Sequence, residues 1–215
     1  IARRDVLDRR RLHRGRYSTC FGQGLATPYQ ADAGLGLTAE SERLMIAAMI
    51  IAVVGGEEAA PEALVQAEAV GRELAKRGCT LICGVRGGVM EAACRGAREA
   101  GGHTVGVLPG TDRGEANPYV ELPIVSGVGR ARNLIVVLSA DAIIAIDGGY
   151  GTLSEIGFAL QYGKPVIGLS TWELSQAEGE EAPILRSADP AEAVALAVEA
   201  AQRAAEPISP GAAKR

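Results

Sequence analysis

The sequence predicts an α/β fold: a doubly wound, Rossmann-like parallel sheet flanked by helices in a single domain. Three observations carry this. From Met45 onward, short apolar, β-branched runs alternate with longer Ala/Glu/Arg segments of helical spacing, as βαβ units require. Capping residues punctuate the helical segments. Glycine-rich turns follow three of the apolar runs, where an open parallel sheet places its ligand loops.

The elements follow in order. The first strand is 49–54 (MIIAVV), and the helix after it, 61–77, opens at Pro61 and closes at Gly78 behind Arg77. A strand at 79–83 (CTLIC) leads to a helix at 88–100, and strands at 103–108 (HTVGVL) and 121–125 (ELPIV) come next. A helix at 129–139 precedes the strand 141–146 (DAIIAI), and a helix at 151–162 precedes the strand 165–169 (PVIGL). The last helix, 190–204, begins with Asp189 as N-cap and Pro190 in its first turn. Right-handed crossovers then put helices on both faces of the sheet. The expected domain is 45–205, with a short flexible Pro/Gly/Ala tail at 206–215.

Residues 1–44 read differently. They carry eight Arg and five acids, whereas 45–215 carry 14 basic and 21 acidic side chains. The Arg-rich run from Ile1 to Arg16 lacks apolar periodicity, the h-region of a secretory signal and, because of Asp5 and Asp8, the acid-poor character of a mitochondrial presequence. It reads as a disordered extension, or as an artefact of upstream translation with Met45 or Met49 as the start.

Composition argues against several classes. The net negative charge of the folded part gives no footprint for a nucleic-acid backbone, so no nucleic-acid partner is expected. Segments 45–54 and 134–146 fall short of the ~18 apolar residues of a membrane span, so a cytoplasmic protein without a membrane partner is expected. Cys20, Cys79, Cys83, Cys94, His13 and His103 form no CxxC pair and no zinc spacing, so neither a metal site nor a disulfide framework is expected.

The candidate site lies where the glycines follow the strands. Gly55-Gly56 follow the first strand, Gly84-Val85-Arg86-Gly87-Gly88 the second, and Asp147-Gly148-Gly149-Tyr150-Gly151-Thr152 the fifth. In the last of these, Gly148, Gly149 and Gly151 permit a tight turn into a helix whose free N–H groups and dipole can hold a phosphate. Thr152 adds a hydroxyl or a cap. Glu155, in the first turns of the same helix, directs its carboxylate toward the site or serves as a helix-start charge. Arg132, with Arg130, offers a guanidinium fork for phosphate, and Arg86 offers another. Asn117 bonds a ligand or shapes the turn before Pro118. The first loop, GGEEAA, lacks G-x-G-x-x-G spacing and places two acids where a pyrophosphate would sit, which argues against ordinary NAD binding. A Walker loop is absent from the sequence. The chemistry therefore points to a small phosphorylated ligand.

The segments GVRGGVMEAACRGAREAGGHTVGVLPG (84–110), EANPYVELPI (115–124), GRARN (129–133) and SADAIIAIDGGYGTLSEIGFALQYGKPVIGL (139–169) resemble the molybdenum-cofactor carrier protein family and its bacterial relatives. That family sits in a wider Rossmann-like superfamily with the "lonely guy" cytokinin-activating phosphoribohydrolases, some labelled lysine decarboxylases. The superfamily motif PGGxGTxxE with an upstream Arg implies Arg132 and Glu155 as the catalytic pair of a hydrolase. Here Asp147 replaces the motif Pro, Asn133 the Lys after the Arg, and Ala131 the Glu before it, while GGGxxGLMG reads GVRGGVME. These departures favour the carrier branch, which implies binding of a pterin phosphate, such as molybdenum cofactor, or of a nucleotide, without turnover. No cofactor is otherwise required. The alternative is hydrolysis of the N-glycosidic bond of a nucleoside 5′-monophosphate. Val85 departs even from the carrier branch, where glycine is expected. Lysine decarboxylation has no support, because Lys76, Lys164 and Lys214 lie on a helix, before a strand and in the tail. The resemblance also implies a homo-oligomer, a dimer or tetramer.

Overall fold

The first strand, β1 (Ile50–Gly55), is buried on both faces: Ile51 and Val53 enter one apolar layer, Ala52 and Val54 the other. A strand covered on both sides is apolar throughout rather than alternating. After it come α1 (Pro61–Lys76), β2 (Thr80–Cys83), α2 (Val89–Glu99), β3 (Thr104–Leu108), a 3-10 turn at Arg113–Glu115, and β4 (Leu122–Val125). A second 3-10 turn, Gly129–Ala131, leads into α3 (Arg132–Ser139), followed by β5 (Ala142–Ile146), α4 (Tyr150–Gln161), β6 (Val166–Leu169), β7 (Ile184–Arg186) and α5 (Pro190–Ala205). The computed structural model describes residues 49–205 apart from 176 and 178, so the extension at 1–44 and the tail at 206–215 lie outside the described residues.

All seven strands are parallel, in the order β4-β3-β2-β1-β5-β6-β7. Helices α1, α2 and α5 cover one face through Val70, Leu74, Ala93, Val194 and Ala197. Helices α3 and α4 cover the other through Val136, Val137, Ile156 and Ala159. This is the doubly wound sandwich expected from the sequence, with β7 added at the edge and with 129–131 wound as 3-10 rather than α-helix.

The caps act as their residue types require. Pro61 stands in the first turn of α1, and Gly78 takes φ +74 just past its end. At α5 the Asp189 carboxylate accepts the Glu192 N–H at 2.8 Å. Helices α1 and α2 touch backbone to backbone: a β-carbon on Gly71 would lie 1.9 Å from the Ala93 carbonyl oxygen, and one on Gly96 would lie 2.0 Å from that of Glu68. The free thiols of Cys79, Cys83 and Cys94 are buried among these layers. No helix among the described residues is long and apolar enough to cross a membrane.

Candidate functional site

The strand order reverses between β1 and β5, because the chain leaves β1 toward one face of the sheet and leaves β5 toward the other. Such a switch point opens a crevice at the carboxyl ends of the strands. A cavity of about 260 Å³ occupies it here. Gly55, Gly56 and Glu57 line it from the end of β1, Arg86 and Met90 from the loop and helix after β2, and Pro109 from the end of β3. Arg130, Arg132 and Asn133 close a second side, and Gly149, Gly151, Thr152 and Glu155 a third.

At the base lies a buried ion pair. Arg132 is 7% exposed and Glu155 5%, with Nη1 3.4 Å from Oε1. Burial pushes the Glu155 carboxyl up to about 7, and the Arg132 charge only partly opposes it. Burial also lowers the Arg132 guanidinium from its ordinary value, with Glu155 opposing. Both shifts report that desolvation outweighs a long contact. Glu155 can therefore exchange a proton near neutral pH, as a general acid or base must. Arg132 keeps its place because the guanidinium lies over Gly84, where no side chain intervenes.

The turn after β5 is held by its neighbours. Thr171 Oγ1 donates to the Asp147 carbonyl at 2.6 Å, Trp172 Nε1 to that of Gly149 at 3.2 Å, and Asn133 Nδ2 to that of Gly151 at 3.4 Å. Gly148 takes φ +103, and a β-carbon there would lie 2.2 Å from Thr152 Oγ1. Asp147 takes φ +51, which a proline ring cannot adopt, so the departure from the superfamily motif matches the local backbone. Gly149 caps α4 without a side-chain cap, and the first-turn N–H groups of a helix have no intrahelical acceptor. They face the end of the sheet where the cavity lies, with the positive end of the helix dipole.

The structure brings Gly55, Arg86, Arg132, Gly149, Gly151, Thr152 and Glu155 together on the cavity wall. It does not place Gly84, Gly87, Gly88, Gly148 or Asn117 there. Gly84 and Gly148 seat Arg132 and Thr152, respectively. Gly88, at φ +62, caps α2 and packs against the Gly56 and Glu57 carbonyl oxygens, while Val89 N–H donates to Gly56 O at 3.0 Å. Asn117 makes the bonds of the turn-shaping alternative: its Nδ2 donates to the Val85 carbonyl at 3.3 Å and its Oδ1 accepts from the Tyr119 N–H at 3.1 Å. That bond steadies Val85, which takes φ +62, the left-handed region that explains the glycine expected there. Its side chain instead fills the space over Gly106.

Glu57, Met90, Pro109 and Asn133 complete the wall, and the sequence singles out none of them as a ligand contact. Pro109 follows β3 directly, so the rule that ligands bind at strand ends could have found it. Glu57 forms an ion pair with Arg86, Oε2 to Nη1, at 2.9 Å.

The model of the SLOG cluster4 family matches residues 48–194. The molybdenum cofactor binding protein of the phototrophic bacterium Rippkaea orientalis is 37% identical, with a TM-score of 0.63 over 69% of this chain and 94% of that one. The Moco carrier protein of Chlamydomonas reinhardtii is also 37% identical, with a TM-score of 0.63 over 73% of this chain and 99% of its own. A cytokinin riboside 5′-monophosphate phosphoribohydrolase of Mycobacterium marinum is 35% identical over 123 residues, covering 52% of this chain and 65% of that enzyme. The resemblance to molybdenum-cofactor carriers within the lonely-guy superfamily holds, and this chain belongs to the SLOG cluster4 family.

Proposed function

We propose that this protein binds a phosphorylated small molecule, a pterin phosphate such as molybdenum cofactor or a nucleotide, at the carboxyl edge of its sheet. The observation that carries this reading is the buried Arg132–Glu155 pair on a cavity wall shared with Gly149, Gly151 and Thr152 at the start of α4. An arginine that shares a cavity with a helix N-terminus is built to meet an anion. Arg86 and Arg130 add positive charge at the wall, so the residues present fit the phosphate end of such a ligand. The likeness to the Rippkaea and Chlamydomonas proteins supports the carrier form of this reading.

One observation favours a second reading, hydrolysis of a nucleoside 5′-monophosphate. Glu155, protonating near neutral pH, could activate water for attack at the anomeric carbon while the N-glycosidic bond breaks and the base leaves with a proton. Incubation with AMP separates the readings: the carrier reading predicts no ribose 5-phosphate, while its release, abolished by Glu155→Gln, would replace it with the hydrolase. Mass spectrometry of the purified protein under native conditions should then show a copurifying phosphorylated ligand.

A homo-oligomer belongs to the same proposal. Leu122 and Ile124 on the edge strand β4, and Ile135 and Leu138 on α3, are exposed apolar side chains. Exposed apolar surface of this kind supports a second copy as its cover.

A further inference from the structure

The cavity wall holds two carboxylates, and the Arg132–Glu155 site uses only one. Glu57 stands at the mouth, half-exposed, with Oε2 2.9 Å from Arg86 Nη1. The two residues belong to different loops, the turn after β1 and the turn after β2, and the backbones of those turns are fastened to each other. Val89 N–H donates to Gly56 O at 3.0 Å, and the Gly88 α-carbon packs so closely on the Glu57 carbonyl that a β-carbon would lie 2.3 Å from its oxygen. The turns that carry the two side chains are therefore fastened to each other, while the charged ends stay in partial contact with water. Such an exposed pair contributes little to stability and opens easily. Both charges also reach the base of the cavity: Arg86 lowers and Glu57 raises the proton affinity of Arg132.

We infer that Glu57 is a built-in competitor for the ligand's anion: its carboxylate occupies Arg86 until a phosphate monoester displaces it, so that Glu57 sets how tightly the site holds phosphate. This rests on the reading that phosphate binds beside Arg132. In the sequence the two acids of GGEEAA argue against a pyrophosphate. The fold gives the first of them a partner and a position from which it tunes affinity. A latch of this kind suits a protein that must release what it carries, because the returning carboxylate replaces the departing anion on Arg86 without leaving the guanidinium unpaired.

A double-mutant cycle with inorganic phosphate as the probe tests it, using the full chain and calorimetric titration near neutral pH at low salt. Glu57→Gln should raise phosphate affinity by about tenfold, the scale expected for removing one nearby charge from a partly hydrated site. In an Arg86→Ala background the same substitution should change affinity by no more than about twofold, because the competition it relieves is gone. Glu57→Asp keeps the charge and should stay near the starting affinity. An unchanged or weakened affinity in Glu57→Gln overturns the inference, as does a gain that persists undiminished without Arg86, which would report general repulsion. Arg132→Ala distinguishes the two levels. Loss of phosphate binding there, together with a flat response to Glu57→Gln, sinks the latch alone. Phosphate binding that ignores Arg132 sinks the site reading and the latch with it.

Discussion

The guanidinium of Arg132 lies against the α-carbon of Gly84: a β-carbon there would come within 1.9 Å of Nη1 and 2.2 Å of Cζ. A glycine at the end of β2 is thus the seat of the residue proposed to meet phosphate. Gly84→Ala should displace that guanidinium, cost about 1–3 kcal/mol in folding stability through overpacking, and weaken phosphate binding. Thermal melting and a phosphate titration on the same sample check both parts.

Glu155 makes stability depend on pH. Its carboxyl is raised from an ordinary 4.5 to about 7, so between those values the folded chain keeps a proton that the unfolded chain has released. Unfolding then releases a proton, and stability falls as pH rises through this window and levels off above about 7. The full difference corresponds to about 3 kcal/mol. Urea unfolding at intervals from pH 4.5 to 7.5 should show the decline, and Glu155→Gln should lack it, so that the difference between the two proteins carries the whole effect.

Helices α1 and α2 should tolerate no side chain at their crossing. The β-carbon of Gly96→Ala would meet the Glu68 carbonyl oxygen, a backbone atom that cannot rotate away. The substitution should cost about 2 kcal/mol or more by forcing the helices apart. Equilibrium unfolding measures this. Phosphate affinity well below the melting temperature should change little, because the crossing lies away from the cavity wall.

Much of this architecture is legible in the sequence because strands covered on both faces, such as Ile50–Gly55 and Ala142–Ile146, leave unbroken apolar runs between capped helices. The edge strand Ile184–Arg186 is not legible. It is three residues long, lies in an acidic, Gly-containing stretch, and is defined by pairing with β6 rather than by its own pattern. The site divides in the same way. Arg132, Glu155 and the glycines after β5 follow from strand-end chemistry, whereas the bond of Asn117 to the Val85 carbonyl is a partnership across 32 positions that no local pattern encodes. Glu57 is visible as an acid, but its role depends on Arg86, which the packing of two separate turns brings within 2.9 Å.

Whether Arg132 meets the ligand's phosphate is decided by titrating the protein and Arg132→Ala with AMP in a calorimeter. Direct contact gives saturable binding by the wild-type chain that falls by at least about a hundredfold in the variant, as removal of a buried charge partner of the ligand implies. Equal binding by the two proteins would contradict it.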